Sequence, residues 1–90
     1  MFKRTLLGTL YASIETILFF DKRGSKLVII EIKASNSDEL LDKDAVKALE
    51  QIDRMEYAKQ FLKKPLIKKI YSYGISFYKK SCYIEMKKIK

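Results

Sequence analysis

Apolar and polar residues alternate with different periods along this 90-residue chain, and each change of period marks an element. The stretch from Met1 to Ile14 has a basic lead and a diluted apolar run, which predicts an amphipathic first helix. Its superficial likeness to a leader peptide is weakened by two threonines, a glycine and the lack of a small-x-small cleavage site. At roughly ten residues the apolar run is also far short of the ~20 a membrane span needs. Thr16 to Phe20 is apolar and β-favouring, Asp21-Lys22-Arg23-Gly24-Ser25 is turn-forming, and Leu27 to Lys33 resumes as a second strand, so a hairpin is expected. Period-two geometry puts Leu27, Ile29, Glu31 and Lys33 on one face of that strand and Val28, Ile30 and Ile32 on the other.

Acids at Asp38, Glu39, Asp42 and Asp44 then announce a helix N-terminus. Ala45, Ala48, Leu49, Ile52, Met55, Ala58 and Leu62 recur at helical spacing, and Lys63, Lys64 and Pro65 predict where the helix stops. Alternation returns from Ile70 to Phe77, with Tyr71, Tyr73, Ile75 and Phe77 opposite Ser72, Gly74 and Ser76. The bulky row is the expected core face. After a turn at Tyr78 to Ser81, a last strand from Cys82 to about Ile89 is expected to bury Cys82, Ile84 and Met86. The order is helix, strand, strand, helix, strand, strand, which predicts an α/β (α+β) fold: one domain with a mixed sheet flanked by helices.

Composition removes whole classes of chemistry. The chain has no histidine and a single cysteine, Cys82, so Ser-His-Asp and Cys-His catalysis, Cys/His zinc sites and an internal disulfide are all excluded. A lone cysteine reads as a small apolar residue and agrees with a cytoplasmic location. Nineteen basic residues against eleven acidic ones leave a formal charge of +8, which favours a polyanionic partner such as nucleic acid. Lys63, Lys64, Lys68, Lys69, Lys79, Lys80, Lys87, Lys88 and Lys90 crowd the C-terminal half. Most of them are expected to solvate a face or protect an edge strand, and some to meet phosphates.

The remaining candidates for catalysis are acids and lysines, and Glu31-Ile32-Lys33 is the most informative group. A carboxylate and an ammonium side by side on one face of an apolar strand can hold a divalent cation and stabilise charge at a phosphorus centre. The opposing expectation is that Ile32 alone points inward and both charges face water. Glu15, on the partner strand of the hairpin, is the natural second carboxylate; Asp21 is weaker because the turn gives it a local role.

Four segments together carry a resemblance: Leu27 to Lys33, Ala48-Leu49-Glu50-Gln51-Ile52, Tyr57-Ala58, and Lys68 to Phe77. Over roughly residues 15 to 89 they resemble the nuclease domain of the PD-(D/E)XK superfamily, in the branch commonly fused behind an AAA-ATPase-like domain. The resemblance implies a restriction-endonuclease-like core and Mg²⁺- or Mn²⁺-dependent hydrolysis of phosphodiester bonds in DNA or RNA. Glu31 and Glu15 would be metal ligands together with the carbonyl of Ile32, and Lys33 would serve the water or the transition state. Gln51 matches the family's helix glutamine near the site, and Tyr57 a tyrosine of less defined role. In a regular helix these two would lie about 120° apart, so Tyr57 is expected to pack in the core or at its rim.

This chain departs from the family pattern before the first acid. The usual longer stretch, rich in Asn, Arg, Glu and Gly with an Arg just ahead of an aspartate, is replaced by Leu10 to Ile14, and the aspartate by Glu15. No P-loop is present, so an ATP-driven function would need an ATPase-like partner on another chain. The alternative is a catalytically inactive basic module of the same fold that binds nucleic acid or protein. A homo-oligomer is a further expectation.

Overall fold

The computed structural model describes residues 14–90, apart from the side chains of Ile14, Glu15 and Phe19. The expected first helix lies outside the described residues. Strand β1 (Ile14–Phe20) and strand β2 (Lys26–Ala34) form the hairpin. Its turn is closed by the Asp21 carboxylate, which accepts from the Ser25 and Lys26 amides at 2.8 and 3.2 Å. Gly24 takes the positive φ of 71° that this turn requires and glycine supplies without strain. A 3-10 turn over Asp38–Leu40 leads into helix α1 (Leu41–Met55), and a short helix α2 (Lys59–Leu62) follows. Strand β3 (Lys69–Tyr78) and strand β4 (Ser81–Lys88) complete a sheet ordered β1-β2-β3-β4. The β2–β3 pair is parallel and the other two are antiparallel, so this is a mixed sheet with β2 inside it.

One sheet face is buried against α1. Leu27 and Ile29 of β2, Ile70 of β3 and Ile52 of α1 join Ala58 and Ile67 in the main core cluster. Removing each large aliphatic side chain from water contributes on the order of 1.5–3 kcal/mol.

Three expectations need correction. The helix was expected to run on to Pro65, but α1 ends at Met55 because Glu56 adopts the left-handed conformation, φ 55°. A non-glycine residue there costs about 1–2 kcal/mol. The turn brings Tyr57 and Ala58 back onto the core, where Ala58 is buried and Tyr57 packs against the cluster, while Met55 and Leu62 are exposed. The apolar stripe therefore serves α1 only as far as Ile52.

The second correction concerns β3, whose faces are the reverse of expectation. Ser72, Gly74 and Ser76 lie buried beneath α1, and the row of Tyr71, Tyr73, Ile75 and Phe77 is on the other face, half-buried or exposed. Close approach is the reason. A Cβ on Gly74 would overlap the Ala45 carbonyl oxygen and stand 2.9 Å from the Leu49 amide nitrogen, and Ser76 Oγ donates to the Leu41 carbonyl. Bulk on that row would push the helix off the sheet. The third correction follows from the second. Cys82, Ile84 and Met86 stand opposite Phe77, Ile75 and Tyr73 on the edge strand, and all three are exposed rather than core.

Candidate active site

The site is built on the last half of β2, where the strand passes beneath α1. Glu31 is 1% exposed despite its charge, so the expectation that the two charges face water does not hold for it. Alternation keeps Lys33 on the same face, two residues on, and puts Ile32 on the opposite face. The register places Thr16 directly across from Glu31, and Glu15 across from Ile32. The side chain of Glu15 lies outside the described residues.

Two groups flank Glu31 from the β1 side. Thr16 Oγ1 donates to Glu31 Oε1, and the Tyr57 hydroxyl lies 3.5 Å from Thr16 Oγ1. The break in the helix at Glu56 makes this approach possible, because it cancels the helical rotation that would otherwise carry Tyr57 away from the site. The second oxygen, Oε2, is buried with no hydrogen-bond partner among the described residues. Such an oxygen is costly to leave unsatisfied. Burial pushes the Glu31 carboxyl above the usual carboxylate range, and the Thr16 bond offsets only part of that rise.

Lys33 is held from the other side. Its Nζ stands 3.7 Å from Asp44 Oδ1, and Asp44 Oδ2 accepts from Ser35 Oγ at 2.7 Å. Asp44, at 6% exposure, is thus the buried anchor of the lysine and not merely one of the acids at the helix start. Its position could have signalled this: with Leu41, Ala45, Ala48 and Ile52 it falls on the inward stripe of α1, where an acid needs a partner. Thr16 gives no comparable local signal, since only the hairpin register brings it to Glu31.

A cleft of about 230 Å³ opens between β2 and α1, lined by Glu31, Lys33, Lys47, Ala48, Glu50, Gln51 and Arg54. Among the residues singled out in the sequence, Glu31, Lys33 and Gln51 are brought together here. Gln51 Oε1 accepts from Arg54 Nη2, which keeps both side chains at the cleft.

The donor set suits a hard divalent cation. Mg²⁺ is commonly held by one or two carboxylates, with water and substrate phosphate oxygens completing its shell. The unpartnered oxygen of Glu31 beside the cleft is such a donor. Among the described residues no group of three or more His, Cys, Asp or Glu side chains converges on one point. Among the same residues, no helix is long and apolar enough to cross a membrane.

Comparison with curated proteins and with solved structures gives no match. A family profile described as the PD-(D/E)XK nuclease superfamily matches residues 14–87, most of the chain. The matched span begins at β1 and ends within β4, and so contains the mixed sheet, α1 and the Glu-x-Lys pair at the cleft. With a carboxylate and a lysine side by side beneath a helix that completes their cleft, and with that profile covering all of these elements, the chain belongs to the PD-(D/E)XK nuclease superfamily.

Proposed function

We propose that this protein hydrolyses phosphodiester bonds of nucleic acid with the help of a divalent cation, Mg²⁺ or Mn²⁺, held by Glu31 with the main-chain oxygen of Ile32; Glu15 pairs with Ile32, a register position on the face opposite Glu31, and so is not among these ligands. The observation that carries this reading is the buried, unpartnered Oε2 of Glu31 at a cleft that also contains the Lys33 side chain. A bound cation would supply Lewis-acid polarisation of the phosphoryl group and a more acidic water.

The chain's own residues do the rest. Thr16 occupies one oxygen of Glu31 and leaves the other for a ligand. Asp44 positions Lys33, whose ammonium stabilises negative charge that grows on the phosphoryl oxygens, in a site partly shielded from water where such charge pairs are stronger. Gln51, facing the same cleft, orients the attacking water or the substrate.

The test is cleavage of labelled single- and double-stranded oligonucleotides with Mg²⁺ or Mn²⁺, by the intact chain and by Lys33→Ala. Cleavage that is lost in the variant and on chelation supports the reading. Salt-sensitive binding without cleavage by either protein supports the second reading, a non-catalytic basic module. One observation favours that alternative: Thr16, not Glu15, stands across from Glu31 in the hairpin register.

A further inference from the structure

We propose that Lys47 and Arg54 grip backbone phosphates of the nucleic acid on either side of the position facing Glu31. The inference rests on the proposed reading only for where the reacting bond lies; the phosphate contacts stand on their own geometry.

Positions 47, 51 and 54 are spaced i, i+4, i+7 on α1 and so share one face. All three line the cleft that Glu31 lines from the strand side. Seven residues of helix span about 10.5 Å, the axial rise of roughly three nucleotides of one strand at 3.4 Å each. A strand laid along α1 could therefore meet one cation, pass Gln51 and Glu31, and meet the other.

Charge accounting separates these two side chains from three other basic residues. Lys33 is paired with Asp44, Lys87 with Asp53 at 2.8 Å, and Lys90 Nζ donates to the Leu62 carbonyl at 2.8 Å. Among the described residues, neither Lys47 nor Arg54 has a carboxylate within ion-pair distance. Glu50 is the one exposed acid on the cleft wall, and with buried Glu31 it leaves the lining with three cations to two anions. Arg54 uses one N–H on Gln51. The rest of its planar fork remains available for two parallel bonds to a phosphate.

The experiment measures affinity for a fluorescent oligonucleotide in chelator, where no metal-dependent turnover occurs, across a series of salt concentrations. Lys47→Ala, Arg54→Ala and Arg54→Lys are compared with the intact chain and with Lys68→Ala, an exposed lysine outside the cleft. Both cleft side chains are themselves exposed on α1, so their removal leaves the fold intact. Each alanine variant is expected to weaken binding about tenfold, the scale of a charge-assisted hydrogen bond, and to reduce the slope of log affinity against log salt by about 1. Arg54→Lys is expected to keep the slope and lose part of the affinity. Unchanged affinity and slope in both alanine variants, or an equal loss in Lys68→Ala, would overturn the proposal. Cleavage by the intact chain alongside unaltered binding by the variants removes the phosphate grip and leaves the hydrolase reading standing. Weakened binding in a chain that cleaves nothing has the opposite result.

Discussion

Glu31 concentrates the chemical tension of this protein in one side chain. It is buried, its Oε1 is held by Thr16, and its Oε2 is unpartnered among the described residues. Its carboxyl titrates above the usual range because burial disfavours the charged form. For an acid whose folded value is raised, the contribution to stability is complete below the unfolded value and is lost as pH rises through the folded value. Glu31→Gln, which stays neutral, should therefore melt at a higher temperature than the intact chain at neutral pH. It should also lack the part of the decline in stability that begins in the ordinary carboxylate range, as thermal melts at stepped pH would reveal. The same substitution should abolish cleavage, which is how stability given up for function shows itself. For Lys33→Ala the expected loss is about 10²–10³ in kcat, the scale of one transition-state charge stabiliser. Asp44→Asn keeps the partner for Ser35 and removes the charge that positions Lys33, so it should lower kcat more than it raises KM in steady-state assays. Neither role of Asp44 depends on its place among the acids that begin α1; the local signal for them is its position on the inward stripe of that helix.

At the scale of elements, α1 and β3 decide the geometry of the cleft. Gly74 stands directly across from Glu31 in the parallel ladder and lies under the Ala45 carbonyl. Because the clash there is with backbone, rotamer changes cannot relieve it. Gly74→Ala should destabilise the fold by about 1–3 kcal/mol, the usual cost of overpacking, measurable as a lower urea midpoint. The helix displaced from the sheet should also carry Gln51 away from Glu31, so the residual folded protein should lose activity. The strands and their turns were legible from alternation and from the residues of the Asp21–Ser25 turn, and the observed bounds extend the expected ones by only a few residues. The end of α1 was not. No glycine or proline marks Glu56, and its left-handed backbone is tolerated because Tyr57 and Ala58 gain core contacts that lie far away in sequence.

For the whole molecule, the formal charge of +8 makes association with a polyanion strongly dependent on salt. A saturating oligonucleotide should raise the melting temperature at low ionic strength by mass action, by about 2.7 kcal/mol of stability at a hundredfold excess over Kd. This stabilisation should vanish in high salt, while added Mg²⁺ should still stabilise the intact chain and not Glu31→Gln. Scanning calorimetry with the oligonucleotide at low and at high salt, each with and without Mg²⁺, distinguishes these outcomes. Periodicity, turn chemistry and charge by themselves determined that the chain makes four strands and an amphipathic helix, and that Glu31 and Lys33 share a face; these are local, set by a repeat of two residues in the strands and of about 3.6 in the helix. Which face of β3 would be the inner one is not local, because the two rows obey the same period and only the close packing of α1 favours the small row over the aromatic one. The meeting of Glu31 with Thr16, Gln51 and Arg54, and of Lys33 with Asp44, belongs to tertiary structure for the same reason: residues distant in the chain become neighbours only once the register of the hairpin and the position of the helix over the sheet are established.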